Sequence, residues 1–181
     1  MFRHRTAFVF TAGFGIMMAA GWLGFPRTLY TSARQPLDFN HRLHQDKAGQ
    51  KCSDCHGITS DGAFTGTPAL AACAGCHAEP MGTTPDEKTL VAAFVKPGRE
   101  IPWRSYAREP MNVRFSHAVH VNLGKLKCEE CHDGHGTSNR VALYREDRIS
   151  GYSRDLAMDM DACENCHRQR GVDAGCLGCH K

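Results

Sequence analysis

Residues 115–132 read FSHAVHVNLGKLKCEECH: a phenylalanine, two histidines three apart (His117 and His120), then Cys128, Cys131 and His132. Two thiols one short turn apart, with a histidine directly after the second, form the attachment signature of c-type haem. The cysteines make thioether bonds to the vinyl groups. The neighbouring histidine reaches the iron from the same face. Along the chain, His120 is placed to close the other axial position, and His117 lies too near it to serve the same iron. The spacing therefore predicts that His117 serves a neighbouring haem.

The same block stands 76 positions earlier. Phe39, His41, His44, Cys52, Cys55 and His56 match Phe115, His117, His120, Cys128, Cys131 and His132 one for one. Six matches at one offset mark an internal repeat, covering residues 39–77 and 115–167.

All 10 cysteines lie in five C-x-x-C-H runs: Cys52/Cys55/His56, Cys73/Cys76/His77, Cys128/Cys131/His132, Cys163/Cys166/His167 and Cys176/Cys179/His180. Disulfides, or a zinc ribbon built on paired C-x-x-C knuckles, are the competing readings. Histidine is 11 of 181 residues, so a chance histidine would follow a given pair about 6% of the time, and five of five on the order of one time in a million. Covalent haem is the expected cofactor, five per chain. No cysteine is spare, so any further haem would be non-covalent or held by one cysteine.

Composition fits a chain packed around cofactors. Hydrophobic residues are 41%, aromatics 8%, and mean hydropathy is −0.42. Part of that apolar content sits in one N-terminal segment, which leaves little for a side-chain core. Porphyrin faces would supply the missing apolar area. The expected fold is mostly irregular with short α-helices. The formal charge of +3 and the pI of 8.4 omit the haem propionates, which must be counted. The basic residues form no run or stripe, so no nucleic-acid partner is expected.

Residues 6–25, TAFVFTAGFGIMMAAGWLGF, carry no charge and as a helix span the hydrocarbon of a bilayer. A cleaved signal peptide is the competing reading; the apolar run is long for one, and Met18-Ala19-Ala20 is a poor cleavage site. Residues 1–27 are thus expected to be an uncleaved membrane anchor and residues 28–181 a haem domain. Maturation of c-type haem outside the cytoplasmic membrane would place that domain in the bacterial periplasm. The pairs Gly15/Ala19 and Ala20/Gly24 suit close helix contact.

Elsewhere, Thr84-Pro85-Asp86-Glu87 predicts a helix start, with Thr84 as cap, Pro85 first in the helix and Glu87 closing a capping box. The helix runs to about Val95 and stops before Pro97-Gly98. Pro97, Pro102 and Pro110 predict an extended segment. Residues 136–156 are an insertion, since Cys73 to Cys163 spans 90 positions against the repeat's 76. Short helices are expected at each C-x-x-C-H, and no strand.

Six histidines remain outside the motifs. His4 precedes the anchor; His41, His44, His117, His120 and His135 are five candidates for five distal positions. Met158 and Met160 are alternative sulfur ligands near the fourth motif. By spacing, His44 is expected opposite the haem of Cys52/Cys55 and His120 opposite that of Cys128/Cys131. Bis-histidine ligation closes the iron and gives lower potentials than His/Met ligation. Electron transfer is therefore expected rather than a catalytic site. Three readings compete: an electron-transfer subunit of a quinone-linked membrane complex, a stand-alone membrane-anchored quinol dehydrogenase feeding a periplasmic reductase, and a catalytic multihaem enzyme. Carboxylates at Asp155, Asp159, Asp161, Glu164, Glu129, Glu130 and Asp133 would attract a lysine-rich cytochrome, unless they balance Lys125, Lys127, Arg154 and Arg168.

The double F-x-H-x-x-H…C-x-x-C-H pattern resembles class III multihaem cytochromes c. Residues 101–121, IPWRSYAREPMNVRFSHAVHV, with CEECH after them, and residues 160–181, MDACENCHRQRGVDAGCLGCHK, resemble the membrane-anchored multihaem subunits of alternative complex III. The single N-terminal span and the final motif at the end of the chain look most like the cytochrome subunits of the menaquinone reductase complexes of sulfate reducers. The resemblance implies a periplasmic electron-entry or electron-exit module. It also implies iron–sulfur, molybdopterin-family-like and polytopic quinone-binding partner subunits, and a soluble periplasmic cytochrome c.

The cysteine pattern sets a first test. Pyridine haemochrome assay and intact mass are expected to give five covalent haems per matured chain; four or fewer would break the one-haem-per-motif reading.

Overall fold

The computed structural model describes residues 2–59, 63–106, 112–132, 134, 136–151, 158–172 and 175–180. His135, Asp133, Arg154 and Asp155 lie outside them. The N-terminal segment is one long helical rod. Helix α1 (Phe2–Ala19) passes through a wide π-helical turn at Ala20–Gly24 into α2 (Phe25–Leu29). Pro26 explains the wide turn: its ring crowds the carbonyl four residues back and it has no N–H to offer. Residues Arg5–Leu29 are long and apolar enough to cross a membrane, and none of this span is buried against the rest of the chain.

From α2 the chain passes directly into strand β1 (Tyr30–Ala33), which pairs antiparallel with β2 (Tyr144–Asp147) in the register Tyr30↔Asp147 to Ala33↔Tyr144. The Arg148 N–H extends the ladder to the Leu29 carbonyl at 2.8 Å. Arg145 lies over the Tyr30 ring at 5.2 Å and Arg104 over Tyr144 at 5.7 Å. The expectation of no strand is corrected here. Each strand is four residues long and its partner lies over a hundred positions away, so neither shows a period.

The other elements are short helices, as expected. Helix α3 (His41–Ala48) starts on Asn40, whose side chain accepts from the Leu43 N–H at 2.8 Å, and ends on Gly49 at φ 65°. The left-handed cap geometry suits glycine. Helices α4 (Cys52–Cys55), α5 (Leu70–Ala74), α7 (Met160–Gln169) and α8 (Cys176–Cys179), with a 3₁₀ turn at Cys128–Glu130, carry or lead into the five motifs. The second motif departs from the expectation of a helix at each run. Helix α5 ends at Ala74, so Cys73 is helical, whereas Cys76 stands beyond the helix in a turn. Asp54 accepts from the Lys51 N–H at 2.7 Å and Glu130 from the Lys127 N–H at 2.8 Å, the same cap at the two matching repeat positions.

Helix α6 (Pro85–Leu90) continues as a π-helical turn to Val95, with the Thr84 hydroxyl accepting from the Glu87 N–H at 3.2 Å. The predicted boundaries hold, but Glu87 turns its carboxylate elsewhere, to His77 and the Met81 N–H. Leu90 and Phe94 project from this segment into the main apolar cluster, with Leu37, Leu70 and Ile101 buried beside them and Cys73, Ala93, Val95 and Trp103 packed around.

That cluster is small for the chain. A compact 20.0 kDa monomer exposes about 8,700 Å², whereas this one exposes 13688 Å². Part of the excess is the membrane-length helix; the rest is apolar surface around the motifs. Because so few side chains are buried, each carries much of the fold. Phe94→Ala is expected to cost about 3 kcal/mol, read as a lower Tm in thermal melts of the matured protein, with the haem count unchanged.

Candidate haem-binding site

The motifs share one local geometry. In four of them the histidine N–H donates to the carbonyl of the first cysteine: His56 to Cys52 at 2.8 Å, His77 to Cys73 at 2.9 Å, His132 to Cys128 at 2.8 Å and His180 to Cys176 at 2.8 Å. His167 takes the corresponding position inside α7. This single turn brings both thiols and the imidazole together at each motif. All ten cysteines are free thiols. Among the described residues no three His, Cys, Asp or Glu side chains converge as a metal cluster would require.

In the second, third and fifth motifs the two cysteines are not equally covered. Cys76, Cys128 and Cys176 are exposed, and the other seven cysteines are half-buried. In the second motif the contrast follows from the helix end. Cys73 packs against the main apolar cluster, whereas Cys76, past the end of α5, faces outward. The backbone still closes the turn, with the Cys76 N–H donating to the Cys73 carbonyl at 3.2 Å. The run as a whole therefore keeps the spacing that attachment needs, although the expected short helix carries Cys73 and not Cys76.

The histidine rings are oriented by the protein. Nδ1 of His44 lies 2.8 Å from the Asn40 carbonyl and Nδ1 of His120 2.8 Å from the Ser116 carbonyl. His56 meets the Gly66 carbonyl and His180 the Asn112 carbonyl, each at 3.2 Å. His77 meets Glu87 Oε1 at 3.1 Å and His41 the Ser138 hydroxyl at 3.3 Å. A carbonyl oxygen can only accept, so Nδ1 carries the proton in the four rings that meet carbonyls. Their Nε2 is left with its lone pair, the arrangement of a metal-ligating histidine. Phe39 stacks on His44 at 4.3 Å and meets His41 edge-on at 4.8 Å; Phe115 does the same to His120 at 4.6 Å and His117 at 4.8 Å. The repeat extends to ring geometry.

Ring pairs correct the expected partners. His120 faces His167 with centroids 6.1 Å apart, not His132; His117 faces His132 at 6.4 Å; and His44 faces His77 at 6.1 Å, not His56. Two imidazoles bound through Nε2 to one metal, at about 2 Å each, hold their centroids roughly 6 Å apart. Thus the first histidine of the second repeat faces that repeat's first motif. The second histidine of each repeat reaches across to the second motif. Proximity along the chain misled the spacing argument, because α3 and the turn at Ala118–Leu123 carry their second histidine away from the motif that comes next.

The motifs approach one another through their cysteines. Burial pushes the thiols of Cys52, Cys55, Cys73, Cys131 and Cys163 up, and for four of them a neighbouring motif thiol pushes the same way. Those electrostatic neighbours are Cys55 for Cys73, Cys128 for Cys52, Cys166 for Cys131 and Cys179 for Cys163. They link the second motif to the first, the first to the third, the third to the fourth and the fourth to the fifth in one line of influence. Phe64 sits at the middle, 6.0 Å from His56 and 4.6 Å from His117. Nothing in its sequence context singled it out. His135 lies outside the described residues, and Met158 and Met160 are exposed at the start of α7.

These residues fit c-type haem. Besides the thiol turns and paired rings, Trp103 Nε1 is buried with no acceptor among the described residues, in the cluster that packs on Cys73; an acceptor oxygen of a bound group, such as a haem propionate, would satisfy it. Comparison with known proteins agrees. Residues 43–146 match the family described as cytochrome c3 and residues 113–181 that of cytochrome c7 and related cytochrome c. The chain is also 36% identical to the menaquinone reductase, multihaem cytochrome c subunit of Nitratidesulfovibrio vulgaris, over 95% of this chain and 89% of that protein. The chain belongs to the multihaem cytochromes c. The short helices and slight sheet are those of this family, joined to one N-terminal helix long and apolar enough to span a membrane, and such families bind c-type haem.

The ring pairs make a sharp forecast for this cytochrome. His120→Ala is expected to turn one haem high-spin, the one on Cys163/Cys166, leaving that on Cys128/Cys131 low-spin. Combining it with His167→Ala should add little further low-spin loss, whereas combining it with His117→Ala should add a second high-spin haem. Additive loss with His167→Ala would contradict the pairing.

Proposed function

We propose that this protein is the electron-transfer subunit of a membrane quinone oxidoreductase complex, passing electrons between a soluble periplasmic cytochrome c and the subunits that exchange them with menaquinone. The observation that carries this is the facing of histidine rings in pairs at three of the five motifs, the arrangement that would close both axial positions of an iron held there. The menaquinone reductase subunit named above points the same way. Haem c supplies one-electron exchange between ferric and ferrous iron. The chain holds five such groups, on Cys52/Cys55, Cys73/Cys76, Cys128/Cys131, Cys163/Cys166 and Cys176/Cys179. Their proximal ligands are His56, His77, His132, His167 and His180, with His44, His117 and His120 across from His77, His132 and His167. His41, the repeat counterpart of His117, is assigned to His56. His135 is left for His180. No catalytic site of its own is needed.

Residues 1–27 form a single anchor in the bacterial cytoplasmic membrane, and 28–181 the periplasmic domain, since c-type attachment takes place on that side. The second and fifth motifs end the line of cysteines and are the natural points of entry and exit. Cys76 and Cys176, one in each of those two end motifs, are both exposed. The acidic cluster offers less for docking than its sequence suggests. Asp159 caps α7 through the Ala162 N–H at 2.8 Å, Glu164 lies 3.6 Å from Arg168, and Glu130 pairs with Arg170 at 2.5 Å. Those carboxylates are already engaged locally, so a soluble partner has less reason to dock there.

Solubilised in mild detergent, the protein is expected to co-migrate with further membrane and iron–sulfur subunits and to show only low-spin ferric EPR signals. Recovery as a lone polypeptide active toward quinol would favour the stand-alone dehydrogenase. A stoichiometric high-spin signal in the native protein would favour a catalytic haem.

A further inference from the structure

We infer that Glu87 is a positioning residue that sets the reduction potential of the haem on Cys73/Cys76, acting through His77; this rests on the haem assignment above. Its Oε1 lies 3.1 Å from His77 Nδ1, and the same ring faces His44 with centroids 6.1 Å apart. Of the six histidines whose Nδ1 partner is described, four meet backbone carbonyls and one a serine hydroxyl; His77 meets a carboxylate.

Glu87 is held in place. The Met81 N–H donates to the same Oε1 at 2.5 Å, the Thr84 hydroxyl fixes the Glu87 backbone, and the side chain is only 14% exposed. A Cβ added at Gly82 would lie 2.6 Å from Oε2, so the chain closes tightly over the carboxylate. Among the described residues no lysine or arginine forms an ion pair with it. Its charge is therefore directed at the imidazole.

A carboxylate on the far nitrogen of a ligating histidine makes that histidine a stronger donor and fixes its plane. The added electron density favours ferric over ferrous iron. One electron changes hands, and no bond is made or broken. Ligand basicity and hydrogen bonding around the iron are among the protein's principal levers on potential. The haem of the second motif, at one end of the line, is accordingly made harder to reduce than a carbonyl partner would make it.

The test is a spectroelectrochemical titration of the purified holoprotein, wild type against Glu87→Gln. The amide keeps an oxygen to accept from His77 and Met81 but removes the charge. One haem of the set is expected to rise in potential, so that its ferric/ferrous ratio at fixed potential falls about tenfold, about 59 mV for one electron. One low-spin EPR signal should move with it, and the other haems should stay in place. Thr84→Ala is the control: it removes the cap of the same helix and should lower Tm, but the Met81 N–H still holds the Glu87 carboxylate, so the potentials should stay unchanged. Identical titrations for wild type and Glu87→Gln, or the same shift from Thr84→Ala, would overturn the inference. Peptide mass mapping separates the two levels. Absence of haem on Cys73/Cys76 in wild type would remove the underlying assignment, whereas haem present with no shift would remove only the role of Glu87.

Discussion

The hydrogen bond from histidine Nδ1 to a protein oxygen, described at six of the rings, is the constraint on which this structure turns. An imidazole with Nδ1 committed has one tautomer, one plane and one free lone pair. In His44 and His120 the acceptor is the backbone carbonyl four residues back, so the helix that carries the ring also aims it. In His56 and His180 the acceptor comes from loops 10 and 68 residues away, so folding must precede alignment. The rings are set by backbone already in place, which is why paired rings stand out so clearly in a chain with so small an apolar core.

The facing pairs also bind the chain to itself. His44 reaches His77 and His120 reaches His167, each spanning from one motif's approach segment to another motif. Neither motif of a pair can be completed without the other. Between the halves, Gln45 Nε2 donates to the Gly136 carbonyl at 2.5 Å and Arg42 N–H to that of Ser138 at 3.2 Å, while Phe64 fills the gap between His56 and His117. Ordinary domains achieve such cohesion by burying aliphatic side chains. Here the seven buried hydrophobics among the described residues are supplemented by cross-links through cofactors, whose broad apolar faces contribute what those side chains cannot.

The covalent chemistry was legible because it is local: C-x-x-C-H, the 76-residue offset and the Thr84-Pro85 helix start each rest on short, contiguous blocks. What sequence concealed is long-range. The β1–β2 ribbon joins positions over a hundred residues apart, and its strands are too short to show alternation. The partner of each second histidine depends on how α3 and the turn at Ala118–Leu123 lie against distant motifs. The motif pattern also hides the unequal cover of Cys73 and Cys76, since that depends on where α5 ends against the apolar cluster. Glu87 was legible as a capping residue, since its position three after Thr84 is that of a capping box. Its carboxylate instead meets His77, because a half-buried imidazole N–H is a more demanding donor than an exposed helix N–H.

The ribbon accounts for the asymmetry between the repeats. The second repeat holds extra residues between its two motifs, in the insertion 136–156. The insertion's first turn lies on α3, and its strand β2 hydrogen-bonds to β1 at the very end of the membrane-length helix. A linker of free polar residues between anchor and haem domain would let the domain tumble. A ladder that begins at the Leu29 carbonyl fixes it, because rotation about the exit point breaks backbone hydrogen bonds and the Arg145–Tyr30 contact together. The extra length therefore attaches the second repeat to the membrane-length helix that precedes the first. The line of motifs, which crosses from one repeat to the other at Cys52 and Cys128, thereby keeps one orientation relative to the helix.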